Sequence, residues 1–155
     1  MRPITILLAA LLLVAAVAVA EEEKAGAPAP VRLDAEKLAG LGLEEFEPFP
    51  KEMVLSGRSE HSYHTFFSGE EVVVEVYEAE PAKLKVDEPW PYDEFIYVLS
   101  GKLVLTDSTG EVTQYVAGES LVVPKGFVGT WEMQGNFREL VVIEKKAYER
   151  AEGSE

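Results

Sequence analysis

The sequence predicts an all-β domain, either a sandwich or a barrel, and three observations support this prediction. Between residues 51 and 144, short segments rich in Val, Ile, Tyr and Phe follow one another at close spacing. Clusters of Gly, Pro, Asp and Ser separate these segments, as turns do. No long stretch has the apolar period of a helix. With 47% hydrophobic residues, the 155-residue chain can bury one core of ordinary size.

The first element, residues 1–20, is predicted to be a signal peptide. Arg2 supplies a positive charge, residues 4–17 are almost continuously apolar, and the small residues Ala18 and Ala20 mark a cleavage site. A retained membrane anchor is the alternative interpretation. The prediction implies export to the periplasm or secretion, with no membrane association after cleavage.

Residues 21–50 are predicted to form a flexible or extended N-terminal segment, because they are acidic, then rich in Ala and Pro. Within it, Asp34 is a candidate N-cap for one short helical turn that ends near Leu38. The barrel is expected over residues 51–147. A charged, frayed tail is expected to follow over residues 148–155.

Eight strands are assigned within this barrel region from apolar alternation and from flanking turn residues. Their ranges are 71–78, 82–86, 94–99, 102–106, 111–116, 120–123, 129–133 and 137–144. Residues 107–110 are predicted to be a hairpin turn with Gly110 at its corner.

Charge and cysteine content exclude several classes of function. The chain has 28 acidic and 14 basic residues, for a net charge of −14, and no basic stripe. Nucleic-acid binding is therefore excluded, since it needs clustered Lys and Arg. The sequence has no cysteine, which rules out disulfides, zinc–thiolate sites and a cysteine nucleophile.

Two glycine-containing motifs then identify a family resemblance. Glu94 is followed after six residues by Gly101, and Gly118 is followed at fixed intervals by Pro124 and Gly126. This pair of motifs resembles the cupin superfamily, and the resemblance implies a double-stranded β-helix, the single jelly-roll barrel of cupins. A homodimer is also implied, because cupins commonly pair through their sheets.

A narrower resemblance depends on residues 129–132, Gly-Thr-Trp-Glu. This stretch is similar to the cupin branch that includes (S)-ureidoglycine aminohydrolase-like domains. Members of that branch are chemically diverse, so the resemblance alone does not assign a reaction.

The metal ligands that the cupin resemblance implies are mostly missing. Two His, one Glu and a further His are typical, and the corresponding positions here hold Glu88, Trp90, Glu94 and Gly129. Only Glu94 is in place, although Glu88 could add a second oxygen. Because a transition metal normally needs three or four ligands, we expect no metal and no cofactor.

The two histidines of the chain, His61 and His64, are the remaining candidate ligands. Their spacing on a strand points them to opposite faces. At most one of them is therefore expected to face the barrel, and His64 is the candidate considered for that position.

Strand periodicity predicts a pocket with aromatic walls. If Glu94 points inward, Tyr92 and Trp90 share its face, and Trp131 faces inward from the strand of the second motif. We therefore predict that Trp90, Tyr92, Glu94 and Trp131 bind a ligand. Core filling is the alternative for Trp131.

An inward Glu94 is expected to be protonated or hydrogen-bonded. Tyr92, Tyr97 and Lys102 are its candidate partners.

Three functional hypotheses follow. The first is an exported, metal-independent cupin that binds a small polar or aromatic molecule. The second, implied by the narrower resemblance, is a manganese-dependent enzyme similar to ureidoglycine aminohydrolases. The third is a non-catalytic, dimeric interaction protein. No catalytic residue is assigned.

Overall fold

The structure is a computed structural model that describes residues 27–153. The predicted signal peptide, residues 1–20, lies outside the described residues. Residues 27–30 have no regular secondary structure and are exposed. In this part of the chain, no helix is long and apolar enough to cross a membrane.

Nine strands form one antiparallel sheet over the described residues, and a helix lies at each end of them. The elements, in chain order, are α1 (Ala35–Leu38), β1 (Glu44–Glu45), β2 (Val54–Gly57), β3 (His61–Ser68), β4 (Val72–Ala79), β5 (Ala82–Val86), β6 (Glu94–Asp107), β7 (Val112–Val116), β8 (Ser120–Val123), β9 (Gly129–Glu144) and α2 (Lys145–Glu152).

Two long strands, β6 and β9, run beside each other and hold the sheet together. Each was predicted as two separate strands, and the structure corrects this prediction. The chain continues through bulges at residues 98–102 of β6 instead of leaving the sheet. Gly101, with φ +71°, lies within them, and Gly135, with φ +70°, lies in the matching part of β9. The bulges bend both strands while keeping them paired.

The bend curls the sheet into a barrel. The second half of β9 pairs with β4, whereas its first half pairs with β5, so one strand serves two sides. Its neighbour β6 likewise pairs with β8 through its first half and with β7 through its second half. This all-β, curled jelly-roll arrangement confirms the predicted fold class.

Alternate side chains of the long strands fill the barrel interior. Phe137, Ile96 and Leu103 are fully buried. Burial of such a side chain contributes about 1.5–3 kcal/mol. In β6 the inward set changes from even numbers (Ile96, Val98) to odd numbers (Leu103, Leu105) across the bulges.

The two ends of the described chain are more ordered than the sequence predicts. Asp34 caps α1 by accepting from the backbone N–H groups of Glu36 and Lys37, as predicted. Residues 39–42 then form turns, and β1 pairs with β3. Where a frayed tail was expected, α2 forms instead, because Ala147 and Tyr148 pack against the barrel core.

Candidate functional site

A cavity of about 220 Å³ lies inside the barrel. Strands β3, β4, β5, β6 and β9 contribute to its wall, and so do residues 46–53 and α2. The wall is mostly apolar and aromatic, with a few polar groups. This composition is typical of sites for small molecules.

The structure brings the four predicted residues, Trp90, Tyr92, Glu94 and Trp131, together around this cavity. The ring centroids of Trp90 and Trp131 are 5.2 Å apart, and Trp90 meets Tyr92 edge to face at 5.7 Å. Trp131 also belongs to the buried core. It therefore both fills the core and lines the cavity, so the two interpretations of this residue are compatible. Ligand binding by these residues stays a prediction.

Glu94 is 5% exposed and accepts a hydrogen bond from Trp90 Nε1–H at 3.0 Å. This partner was not among the three that were considered. Tyr97 points outward from β6, and Lys102 lies beyond the bulges that change the inward set. The indole N–H of Trp90 instead lies on the same side as the carboxylate, four residues before it.

Two further carboxyl groups, Glu75 and Glu139, line the same cavity and were missed in the sequence. Glu75 is buried on β4 and accepts from Thr65 Oγ1 at 2.6 Å. Glu139 is 3% exposed on β9, and its Oε2 atom has no hydrogen-bond partner among the described residues. The available signal was an acidic residue at an inward position of an apolar strand, between Phe137 and Val141 for Glu139.

Burial raises the pKa values of Glu94 and Glu139. Desolvation raises the pKa of Glu94 to about 7, against the hydrogen bond from Trp90, and the charge of Glu75 adds to the rise. Desolvation and then the charge of Glu94 raise the pKa of Glu139 well above its ordinary value. Both groups therefore hold a proton more tightly than exposed carboxylates do.

A buried tyrosine and His61 continue the polar lining. Burial, followed by the charges of Glu139 and Glu94, raises the pKa of Tyr77. Its hydroxyl lies 3.0 Å from His61 Nδ1, while His61 Nε2 lies 2.6 Å from the carbonyl oxygen of Glu47. A carbonyl only accepts, so Nε2 carries the hydrogen and Nδ1 accepts from Tyr77. Burial also lowers the pKa of His61, which favours this neutral form.

His61 fixes the N-terminal segment over the cavity. Its ring stacks on Phe46 and Phe49, with centroids 5.1 and 4.0 Å away. The backbone N–H of Phe46 donates to the carbonyl of His61, and that of Phe49 donates to the carbonyl of Ser59. Residues 46–49, expected to be flexible or extended, are thus an extended part of the site wall.

The structure does not bring the alternative metal ligands together. The two histidines lie on different faces of β3, as predicted. However, His61 faces the cavity, whereas His64 was the candidate for that position. His64 instead contacts Phe66 edge to face. Glu88 is exposed, because residues 87–93, to which strand periodicity was extended, are not a strand.

The donor set does not fit a cupin metal ion. Within residues 27–153, no group of three or more His, Cys, Asp or Glu side chains is placed to hold one. At the position of the fourth ligand, Gly129 has φ +155°, and a Cβ there would lie 1.9 Å from the carbonyl oxygen of Thr106. A histidine at this position would therefore require the backbone to move.

Comparison with known proteins identifies the domain. The family model of the EutQ-like cupin domain matches residues 63–148. No curated protein matches the sequence.

Several solved structures have a similar fold. A protein with unknown function from Pseudomonas syringae pv. tomato has a TM-score of 0.58 at 18% identity, covering 65% of this chain and 43% of that one. The chain thus spans less than half the length of the Pseudomonas protein. The polyketide cyclase RemF from Streptomyces resistomycificus has a TM-score of 0.50 at 18% identity, covering 67% and 75%. A putative ethanolamine utilization protein q from Salmonella typhimurium reaches 0.48 at 20% identity, covering 56% and 70%.

Proposed function

The chain belongs to the EutQ-like cupin family, and on that premise we propose that it binds a small molecule inside its barrel without a metal ion. The observation that carries this proposal is Glu139 Oε2, a buried polar atom without a partner on the wall of a cavity. An unsatisfied buried polar group costs about 1–3 kcal/mol. A bound ligand that donates a hydrogen bond would remove this cost.

The size and lining of the cavity support the proposal. An apolar cavity of about 150 Å³ can bind benzene, and this one has about 220 Å³. Two of its carboxyl groups, those of Glu94 and Glu139, have raised pKa values, and perturbed values are common at functional sites. Trp90, Tyr92 and Trp131 would contact the body of the ligand, and Glu94 and Glu139 would orient it.

A thermal-shift screen of chelator-treated protein against a library of small polar and aromatic compounds tests this function. We expect some compounds to raise the melting temperature of the wild type but not of Trp131→Ala. Tyr97→Ala, which removes an exposed aromatic ring from the outer face of β6, is the matched control. The proposal fails if no compound stabilises the wild type, or if Trp131→Ala responds equally. Binding that appears only after metal is restored would contradict metal independence.

The hypothesis of a manganese-dependent aminohydrolase gains no support from the donor set described above.

The hypothesis of a dimer has a specific feature in its favour. A row of five apolar residues crosses the outer face of the sheet in register, and it consists of Phe67, Val74, Val142, Phe95 and Val122.

We propose that this apolar row joins two copies of the chain. Phe95 is 41% exposed and Val122 is 60% exposed. On a chain with a net charge of −14, a row without carboxylates lets two copies meet there with less repulsion. Sedimentation of the wild type as a dimer and of Phe95→Asp as a monomer is expected. A monomeric wild type would contradict the proposal.

Export is likewise a proposal, supported by the apolar sequence of residues 4–17 and the small residues at 18 and 20. We propose a periplasmic or secreted location. Mass spectrometry of protein recovered outside the cytoplasm should find chains that begin at Glu21. Intact chains that begin at Met1 and remain with the membrane would instead indicate the retained anchor.

A further inference from the structure

The cavity wall contains acidic side chains but no basic Lys or Arg side chain among the described residues. Its carboxyl groups are those of Glu75, Glu94 and Glu139. A bound anion would therefore lie next to acidic groups with no basic side chain to pair with. Without a ligand, burial favours the protonated forms of Glu94 and Glu139. A bound cation would favour their ionised forms, because charge interactions are strong in a poorly solvated space.

His61 does not supply the missing positive charge. Its Nε2–H donates to the carbonyl of Glu47, and its Nδ1 accepts from the hydroxyl of Tyr77. A second proton on Nδ1 would require Tyr77 to stop donating to it. The hydrogen-bond arrangement thus keeps the ring neutral, and the wall keeps its acidic character.

One of the acids is poised for an incoming donor. Trp90 already donates to Glu94, and Thr65 donates to Glu75. Glu139 Oε2 has no such partner, although the side chain is buried and on the cavity wall. An N–H group of a ligand would give this oxygen its missing hydrogen bond.

Aromatic rings complete the surroundings. Trp90 lies between Tyr92 and Trp131, with centroid separations of 5.7 and 5.2 Å. The negative faces of indole and phenol rings attract organic cations, by about 2 kcal/mol or more in desolvated sites. Carboxylates beside such rings are the chemistry that selects an ammonium group over a neutral group of the same size.

We infer that the ligand of the barrel is a small organic cation, an amine attached to a compact apolar or aromatic body. This inference depends on the proposed ligand-binding function and specifies the class of ligand. The ammonium group pairs with Glu139 and Glu94, and the body lies against Trp90, Tyr92 and Trp131. The cavity volume of about 220 Å³ suits a molecule slightly larger than benzene.

Three probes of nearly equal shape test the inference: benzylamine, benzyl alcohol and benzoate. Their affinities for the purified full chain are measured by ligand-observed NMR titration at neutral pH. We expect benzylamine to bind about tenfold or more tightly than benzyl alcohol, with benzoate the weakest. This comparison uses the wild type, so it does not depend on the folding of any variant.

Variants then locate the charge that selects the amine. The preference for benzylamine over benzyl alcohol should fall about tenfold in Glu139→Gln, which removes the carboxyl group that ionises to pair with the ammonium group. Glu111→Gln removes a carboxyl group from an exposed residue and should leave the preference unchanged. An equal preference in Glu139→Gln, Glu94→Gln and the wild type would overturn the assignment of the pairing groups.

The outcomes separate this inference from the function on which it depends. Benzyl alcohol or benzoate binding as tightly as benzylamine would overturn the cationic ligand and leave small-molecule binding in place. Failure of all three probes also overturns the cationic ligand. Small-molecule binding itself fails only if the broader thermal-shift screen finds no compound that depends on Trp131.

Discussion

Glu94 should make the empty protein less stable as the pH rises. Burial raises its pKa from the ordinary value of 4.5 to about 7 in the folded state. Between these pH values the unfolded chain releases the proton while the folded chain retains it. The free energy of unfolding therefore declines as the pH rises across this window. Above the window, Glu94 causes no further change. The shift of about 2.5 pKa units corresponds to about 3 kcal/mol.

Glu94→Gln removes the ionisation but retains the shape and an acceptor oxygen for Trp90 Nε1–H. The variant should match the wild type near pH 4 and be more stable by about 3 kcal/mol at pH 8. Glu139, Glu75, Tyr77 and Tyr92 face or adjoin the group in both proteins. Because the charge of Glu94 raises the pKa values of Glu139 and Tyr77, the comparison measures the ionisation of Glu94 together with its coupling to these groups.

Urea denaturation of both proteins at several pH values between 4 and 8 measures this difference. Glu111→Gln, which changes the net charge equally at an exposed turn, controls for general electrostatics. A difference between Glu94→Gln and wild type that does not vary with pH would refute the reasoning. So would a variant less stable than wild type at pH 8, because Glu94 would then be stabilised as an anion.

Three further substitutions test the packing around the site. Trp131→Ala empties a position that is 6% exposed and should lower the free energy of unfolding by about 3–5 kcal/mol in chemical denaturation; a smaller loss would indicate loose packing. Gly101→Ala places a Cβ 2.7 Å from backbone atoms, whereas Gly110→Ala meets nothing within 4 Å. A left-handed conformation costs about 1–2 kcal/mol for a residue other than glycine, and Gly101→Ala should lower the free energy of unfolding by clearly more than this. Equal melting temperatures of the two variants would contradict the prediction. Tyr77→Phe removes the donor to His61 Nδ1, which should cost about 1 kcal/mol and shift the ring nitrogen resonances in NMR; unchanged resonances would argue against the bond.

The fold was largely predictable because apolar alternation reports directly on strands. Strands β5 and β8 have the predicted bounds, and β4 and β7 differ from prediction by at most one residue at each end. The continuity of β6 and β9 was not predictable, since a Ser-Gly pair in an apolar run indicates a turn and a bulge equally well. Only the pairing of both strands across the bend distinguishes the two.

The candidate site was predictable near the first motif and not where it depended on several strands. Glu94 follows from strand periodicity around a motif residue, whereas Trp90 and Tyr92 line the cavity although residues 87–93 are not a strand. Glu139 could be found only by knowing that Phe137, Glu139 and Val141 lie on the inward face of β9. Phe46 comes from a segment whose position is set by hydrogen bonds to β3, which no local pattern in the sequence reports.

The origin of Phe46 and Phe49 has a consequence for how ligand choice can change. The family match begins at residue 63, so this part of the wall lies outside the shared domain and is held to it through His61. The barrel region supplies the carboxyl groups and the rings of Trp90, Tyr92 and Trp131, while a short preceding stretch supplies two further rings. Replacing residues 46–53 would therefore reshape one part of the cavity wall for a different molecule without altering a strand of the shared domain.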